Sequence, residues 1–569
     1  MTKAQDVLQR NKSLCAKRDA WLPMWQGLAD MYYPNRGGFT TQIIPGQETQ
    51  TEIYDTTPML ARRGLATAID GLLKPSTSRW FWMKAKDDQV NEDDAAKAWF
   101  DAVGDRMWSA IYDPLARFIQ HSGAVDNDLA ALGLGYLWIG ENRNRDGLNF
   151  RSMHIGSCSI DENADGQVDT INIDREWTAR QAYQRFGEKC GPKVMEALKS
   201  GNVKDKDKLF KYVQAIAPRD EYDERIKNNL NMPFSNCIVS IADESIIEES
   251  GFQEFPVAIP RWECAPGEIY PRSPGMMALP DARTLQAMGH TLLVGGQRAV
   301  DPPTWVVDDA VLSAVRTFPG GLTVIDSEAA RASGGKPIGQ LEMGANIPVG
   351  REMQGDYREM VGNAFFKNVF NLPTDQNMTA TEVMERKEEF IRTIGPTMGQ
   401  LENDYIGVIV RRVFGILMRA SVDIKGNPID GGPIPPAPDI LQNTSAEFEF
   451  MSPIQQARKM IEAHSLSAAF QIAGPIIQIQ QESADNFDGD EIIRDLPDMF
   501  SMPHKWIRGR DMVQSMRAQK AKVAQAQAML QGGQQTADIV KTVADAHAST
   551  HAGNADAAAT QAAQQPVPA

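Results

Sequence analysis

Asp161-Glu162-Asn163-Ala164-Asp165-Gly166-Gln167-Val168-Asp169 sets oxygen-bearing side chains at alternating positions around a glycine, the pattern that opens a calcium loop. With Asp161, Asn163 and Asp165 as ligands, a cation there would serve a metal-dependent nucleic-acid enzyme. Two features count against that reading. The twelfth position is Asn172 where a calcium loop needs a bidentate glutamate, and the flanking residues alternate as strands do. A hairpin turn uses the same Asp, Asn and Gly residues without an ion.

Other candidate chemistry is weaker. No G-x-x-x-x-G-K-[ST] is present, and Gly334-Gly335-Lys336-Pro337 lacks both its spacing and its hydroxyl, which removes a P-loop motor. Gly133-x-Gly135 is half of a dinucleotide fingerprint and reads as the approach to a strand. His154 and Cys158 are four apart, but Gly156 lies between them and no second ligand pair is near. The aromatic run from Trp80 to Met83 could stack on bases. Only Arg79 and Lys84 flank it, and its apolar character suits a buried strand better. No metal site, cofactor site or general base emerges, and the sequence reads as a structural protein rather than an enzyme.

The elements that would carry these residues change character along the chain. Leu8, Leu14, Trp21, Trp25, Leu28 and Tyr32 make a helical stripe over residues 3 to 33, punctuated by Pro23. Asp55-Thr56-Thr57-Pro58 starts a second helix that Lys74-Pro75 stops after Leu73. Helices are expected over Ala95 to Tyr112 and Pro114 to Leu132. From Gly133 to about Arg261 the period becomes that of strands: Tyr136 to Ile139, Val168 to Ile173, Phe210 to Ile216, Cys237 to Ile241 and Val257 to Trp262, with a helix at Ala179 to Phe186. Pro266-Gly267 and Tyr270-Pro271-Arg272-Ser273-Pro274-Gly275 mark a boundary.

Beyond it, Asp281 to Ala299 is helical, with Leu285, Met288, Leu292 and Ala299 on its apolar face and Gly289, Gly295 and Gly296 implying a close neighbour or a hinge. Pro302-Pro303 ends it. Residues 301 to 347 are short, Gly-rich and β-like, and Val349 to Phe370 is again helical, with Met353, Tyr357, Met360, Ala364 and Phe365 on one face. After the loop Asn371 to Asn377, the capping box Thr379-Ala380-Thr381-Glu382 begins a helix reaching about Ala420, with a kink expected at Gly395-Pro396. A Pro-rich stretch at 428 to 438, a strand at Glu447 to Met451 and helices to residue 500 follow. Beyond Asp511 the chain is rich in Ala and Gln, and it is expected to fray after Gly532-Gly533.

At 569 residues the chain is long enough for about three to five structural units. With 58 Lys and Arg against 74 Asp and Glu its formal charge is -16, which disfavours broad adhesion to nucleic acid, because such adhesion needs many phosphate contacts. It does not exclude a surface past which DNA slides. Five scattered cysteines without a CxxC pair suit reduced thiols. The N-terminal stretch reads as a helix rather than a signal peptide. Apolar windows such as Ile406 to Met418 contain arginines and fall short of a membrane span.

Several strings, in order, resemble the head-to-tail connecting, or portal, proteins of T7-like short-tailed bacteriophages. They are Tyr54-Asp55-Thr56-Thr57 with Ala61-Arg62-Arg63-Gly64-Leu65-Ala66; Pro75 with Arg79-Trp80-Phe81; Tyr270 to Gly275; the helix Asp281 to Leu293; and Met378-Thr379-Ala380-Thr381-Glu382-Val383. Tyr270-Pro271-Arg272 departs from the Tyr-Gly-Arg expected there, which puts the local turn in question. The resemblance runs from the N-terminal helices to about residue 420.

It implies a mainly helical α+β subunit of a twelve-membered ring around a DNA channel, with no cofactor and no membrane association. Residues 1 to 280 would form a wing, 281 to 299 a first stem helix, 300 to 347 a clip, and 348 to 370 a second stem helix. Residues 371 to 379 would form a channel loop, 380 to 500 a kinked long helix and return to the wing, and 501 to 569 a crown and tail. Arg351, Arg358, Lys367, Asn371, Thr374, Asp375, Gln376 and Asn377 would face the channel. The implied partners are further copies of the chain, double-stranded DNA, the terminase large subunit, major capsid and scaffolding proteins, a tail adaptor, and internal core proteins at the crown. The implied location is one vertex of the virion, after assembly in the host cytoplasm.

Overall fold

The computed structural model describes the chain except residues 1, 42, 45, 50–52, 88–89, 92, 143–146, 201, 224–227, 307–323, 325–327, 329–330, 332–337, 341–346, 371–394, 423–428, 430–431, 442–445, 451–465, 467–468, 474, 476–488, 501–507, 509, 511 and 526–569. It divides into two interleaved units, fewer than the length suggested. The larger takes Met1–Lys84, Ala102–Pro436 and Ala446–Ser501; the smaller takes Ala85–Asp101, Ala437–Ser445 and Met502–Ala569. In the smaller unit the Asn91 side chain bonds both N and O of Ala85, and Asp93 caps the amides of Ala95 and Ala96.

The N-terminal stripe forms two helices, α1 (Lys3–Asp19) and α2 (Leu22–Tyr32). Thr2 and Gln5 make a reciprocal capping box at the start of α1, and Pro23 sits in the first turn of α2, where its missing N–H costs no hydrogen bond. Trp25, Leu28 and Tyr32 are fully buried. α3 (Thr57–Leu73) begins beside Pro58, α4 spans Asp94–Ile111, and α5 spans Phe118–Leu132. Pro114–Ala116 is a separate 3-10 turn, because Arg117 adopts a left-handed conformation (φ 58°) that no α-helix passes through.

The β-patterned region forms two antiparallel sheets. β1 (Phe81–Ala85) lies apart from them, pairing with β12 (Ala446–Phe450). One sheet is β3-β2-β9, from Leu148–Ser152, Leu137–Glu141 and Val257–Ala258. The expected strand from Val257 to Trp262 shortens to two residues because Pro256 and Pro260 have no N–H to donate; their carbonyls still accept from Ile139 and Gly135. The other is a five-stranded meander, β4 (Cys158–Glu162), β5 (Val168–Thr178), β6 (Leu209–Pro218), β7 (Phe234–Ser240) and β8 (Ser245–Phe252). Ala4 of α1 packs on Cys237 and Val239 of the meander. α6 (Ala179–Phe186) and α7 (Pro192–Lys199) pack Ala179, Ala182 and Val194 onto Phe210, Tyr212 and Ile238.

The Tyr270 to Gly275 boundary is a fitted joint despite Pro271. Tyr270 Oη accepts the Ile160 N–H, Ser273 Oγ donates to Ala131 O at 2.8 Å, and Ser273 Oγ also accepts from Met276 N. A Cβ on Gly275 would stand 2.7 Å from Ala131 O, which is backbone and cannot step aside. Gly275→Ala is therefore expected to cost about 1 to 3 kcal/mol, read as a lowered thermal midpoint with unchanged helix content. An unchanged midpoint would refute the close approach.

Two long helices follow. α8 (Leu279–Val300) has 22 residues, about 33 Å, and α9 (Ile347–Ala364) has 18, about 27 Å. Leu292 meets Gly350, and Gly289 lies near Gln354, so the pair runs antiparallel. β10 (Thr304–Val306) and β11 (Ile338–Gln340) pair antiparallel between them. The expected single helix from Val349 to Phe370 ends early. Phe365 seats against Tyr32 and Phe366 against Trp262, and Phe366 turns left-handed (φ 58°) before a one-turn helix at Lys367–Phe370. The expected apolar face is also rotated: Met353 and Met360 are about half exposed, while Val361, Gly362 and Phe365 are buried. Close contact at Gly350 and Leu292 decides which face packs.

The capping box at Thr379 lies outside the described residues. From Gly395 the chain is helical through a π turn at Glu402–Gly407 into α10 (Val408–Ala420); a further helix, α11, spans Gly489–Phe500. The expected kink at Gly395-Pro396 falls at the edge of the described residues.

Candidate functional site

The segment before α3 is where the long helices are joined to the N-terminal region. Gln286 of α8, nearly buried, accepts the Tyr54 N–H at 2.8 Å and the Asp55 N–H at 2.9 Å through Oε1, and donates to Asp55 O at 2.6 Å through Nε2. The Asp55 carboxylate, also buried, accepts from Thr57 N at 2.9 Å, from Gln354 Nε2 at 3.3 Å and from Arg358 Nε at 2.8 Å, the last two on α9. Burial opposes its ionisation, but the Thr57 hydrogen bonds and Arg358 hold the carboxyl below its usual range. The Tyr54 ring lies tilted against His290, and Gly289 leaves room for the Tyr54 side chain. One short polar segment thus fastens α3, α8 and α9 together.

Of the residues expected to face a channel, the described ones are Arg351, Arg358 and Lys367. Arg351 and Arg358, seven apart, share a face of α9, and both are exposed. Arg358 and Lys367 line one cavity of about 370 Å3 with Thr57, Glu359, Asn363 and Asn368. Arg358 is paired with Asp55, and Glu359 faces the same space, so that cavity is close to neutral. Among the described residues, Arg351 and Lys367 have no carboxylate partner. Asn371, Thr374, Asp375, Gln376 and Asn377 lie outside the described residues. The sequence marks Asp55 as a helix start and as part of the family resemblance but gives it no partner, and Gln286 and Gln354 were passed over.

The calcium-like segment is the turn between β4 and β5. Asn163 Oδ1 accepts the amides of Asp165 and Gln167, Asp161 pairs with Lys17 at 3.2 Å, and Glu162 pairs with Arg261. Arg261 also donates to Gly166 O at 2.7 Å. Asn163 Oδ1 is spent on the turn and Asp161 and Glu162 on cations, and the described residues contain no group of three His, Cys, Asp or Glu side chains that could hold a metal ion. His154 accepts the Gly156 N–H through Nδ1 and faces the carbonyls of Arg36 and Gly37. Burial pushes its pKa down and that of the Cys158 thiol up to about 12, the reverse of an activated nucleophile. Trp80 and Phe81 are core, with Trp80 Nε1 donating to the Tyr112 hydroxyl.

Comparison with known proteins covers nearly the whole chain. A model of the bacteriophage head to tail connecting protein family matches residues 4–507. A probable portal protein of Bordetella phage BPP-1 is 27% identical over 94% of this chain and 95% of its own length. A portal protein of Salmonella phage epsilon15 is 26% identical over 96% of each. Among solved structures, a chain from the virion of a native gene transfer agent particle aligns over 74% of this chain and 86% of its own, with 9% identity and a TM-score of 0.31. No described helix is long and apolar enough to cross a membrane.

Proposed function

The chain belongs to the bacteriophage head to tail connecting protein family, and on that premise we propose how its parts divide the work of a portal, the head-tail connector of a virion. Twelve copies form a ring at one capsid vertex, with α8 and α9 as the stem, residues 300 to 347 as the clip, residues 371 to 379 as the channel loop, and residues beyond 501 as the crown. The observation that supports this division best is the antiparallel α8–α9 pair. A β10–β11 pairing closes it at one end, and Tyr54 and Asp55 fasten it at the other.

Double-stranded DNA passes through the ring during packaging and ejection. Arg351 and Lys367 supply sparse phosphate contacts, with Arg358 muted by Asp55, and the loop residues Asn371, Thr374, Asp375, Gln376 and Asn377 add one further charge. Such contacts are weak and independent of sequence, and they permit sliding. A subunit charge of -16 repels rather than retains a polyanion. The packaging motor, through the terminase large subunit, and later the tail adaptor dock on the clip. Capsid and scaffolding proteins meet the wing, and internal core proteins meet the crown. Assembly takes place in the host cytoplasm.

The test is the mass in solution. Light scattering of the purified chain is expected to give twelve times 62.8 kDa, on the order of 750 kDa, and electron micrographs an annular top view. A chain that remains monomeric at micromolar concentration and shows no rings defeats the proposal.

A further inference from the structure

Residues 395 to 420 form one helix broken only by the π turn at Glu402–Gly407. Leu401, Tyr405, Ile409, Val413 and Leu417 are all buried and follow one another at intervals of four. On a regular α-helix each such interval overshoots a full turn by about 40°, so the last residue would sit about 160° round from the first. The extra residue of one π turn takes back about 100° of that drift and keeps the row on the core.

The turn is held at three points. The Tyr405 hydroxyl lies 3.5 Å from Ser122 O, and its ring is 5.6 Å from Lys74 Nζ. Lys74 pairs with Asp126, whose Oδ1 is buried beside Tyr405 without a hydrogen bond of ordinary geometry. Asp404 Oδ2 reaches Arg261 at 3.7 Å, and Arg411 Nε donates to Gly407 O at 3.1 Å, at the downstream end of the turn. The Tyr405 hydroxyl thus faces two buried acceptors, Ser122 O and the Asp126 carboxylate, and meets neither at ordinary geometry, a seat that holds Tyr405 without over-determining it.

We propose that the π turn is a one-residue ratchet. While Tyr405 occupies its seat, the extra residue stays in the turn. When Tyr405 leaves, the turn closes to α, and the helix before it rotates by about 100° and shifts by about 1.5 Å against the core. That helix follows the proposed channel loop in sequence, so any consequence for the loop rests on the portal reading, while the motion itself does not.

The experiment uses Met398→Cys in the full chain, because Met398 is buried and a rotation of that size exposes it. Thiol labelling is read peptide by peptide by mass spectrometry, with buried Cys237 reporting global opening. Tyr405→Phe, which keeps the ring over Lys74, is expected to speed labelling at position 398 about tenfold, with Cys237 unchanged. Deleting Asn403 as well removes the residue to be released and is expected to restore slow labelling. An unchanged rate in Tyr405→Phe, a parallel rise at Cys237, or persistence of the fast rate after the deletion overturns the ratchet. Loss of ring formation in the unaltered chain would bear on the portal reading alone, since labelling is scored within each chain.

Discussion

Replacing residues 307–337 with Asn-Gly is expected to leave a ring that no longer holds the packaging motor or the tail adaptor. The replacement is suited to the chain because Val306 and Ile338 are direct partners in the antiparallel β10–β11 pair, as are Thr304 and Gln340. Asn-Gly between paired residues favours the two-residue turn whose twist matches such a ladder. The replaced segment joins α8 to α9, and the Asp55, Gln286 and Arg358 fastening lies outside it, so none of its bonds is touched. Affinity for the purified terminase large subunit and tail adaptor should fall by about a hundredfold or more, because the residues that would anchor the partners are gone. Sedimentation should show the ring retained. Full-strength binding by the deletion would move the docking face elsewhere, and collapse to monomers would make this segment part of the ring contact.

Local rules read well wherever one local signal dominated. Ala179–Phe186 appears with the bounds its pattern implied, because Thr178 and Gln181 form a complete capping box and Gly187 takes the positive φ that ends the helix. The three expected strands of the meander, β5, β6 and β7, are five, three and two residues longer than their expected spans, since pairing on both sides extends a ladder past the residues that nucleate it, while β8 was not among them. What failed was set by distant partners. Phe366 breaks the second long helix without any glycine or proline to announce it, because two adjacent aromatic rings seat on Tyr32 and Trp262. The apolar face of α9 was misjudged because Gly350 admits Leu292 and so chooses the contact.

The candidate site divides in the same way. Arg358 was legible as a cation on the right helix, but its pairing with Asp55, about 300 residues earlier, is long-range and no spacing rule reveals it. The Asp161 segment is the hairpin turn that its strand-like flanks implied, while the partners of its carboxylates, Lys17 and Arg261, are far away in sequence and no spacing rule reveals them. The π turn had a signal that went unread. A row of five buried residues, separated by four successive intervals of four, does not stay on one face of an α-helix.

The largest loss of stability is expected from Lys74→Met. The Lys74 side chain is wholly buried, paired with buried Asp126 and with Asp70 at 2.5 Å, while Tyr112 donates to its backbone carbonyl at 3.0 Å. Removing the ammonium leaves the Asp126 carboxylate in the core without its cation, a change that costs about 3 to 5 kcal/mol in comparable sites. Asp70, half exposed, keeps its water and adds little. The double variant Lys74→Met with Asp126→Leu removes both charges and should recover most of that loss, because neither desolvated ion remains. Acidity supplies a second check. Burial already pushes the Asp126 carboxyl up to about 6, outweighing the attraction of Lys74, and loss of Lys74 pushes it further. The folded chain then binds a proton more tightly than the unfolded chain, whose carboxyl titrates near 3.8. Protonation at Asp126 therefore contributes stability that is complete below the unfolded value and is lost as pH rises through the folded one. The deficit of Lys74→Met should be largest in alkali, shrink as pH falls through the variant's raised carboxyl value, and level off below about 6, where Asp126 is protonated in the unaltered chain as well, when urea midpoints are compared at each pH. A deficit independent of pH would mean that lost packing, rather than an abandoned carboxylate, causes the damage, and a double variant no better than the single would point the same way.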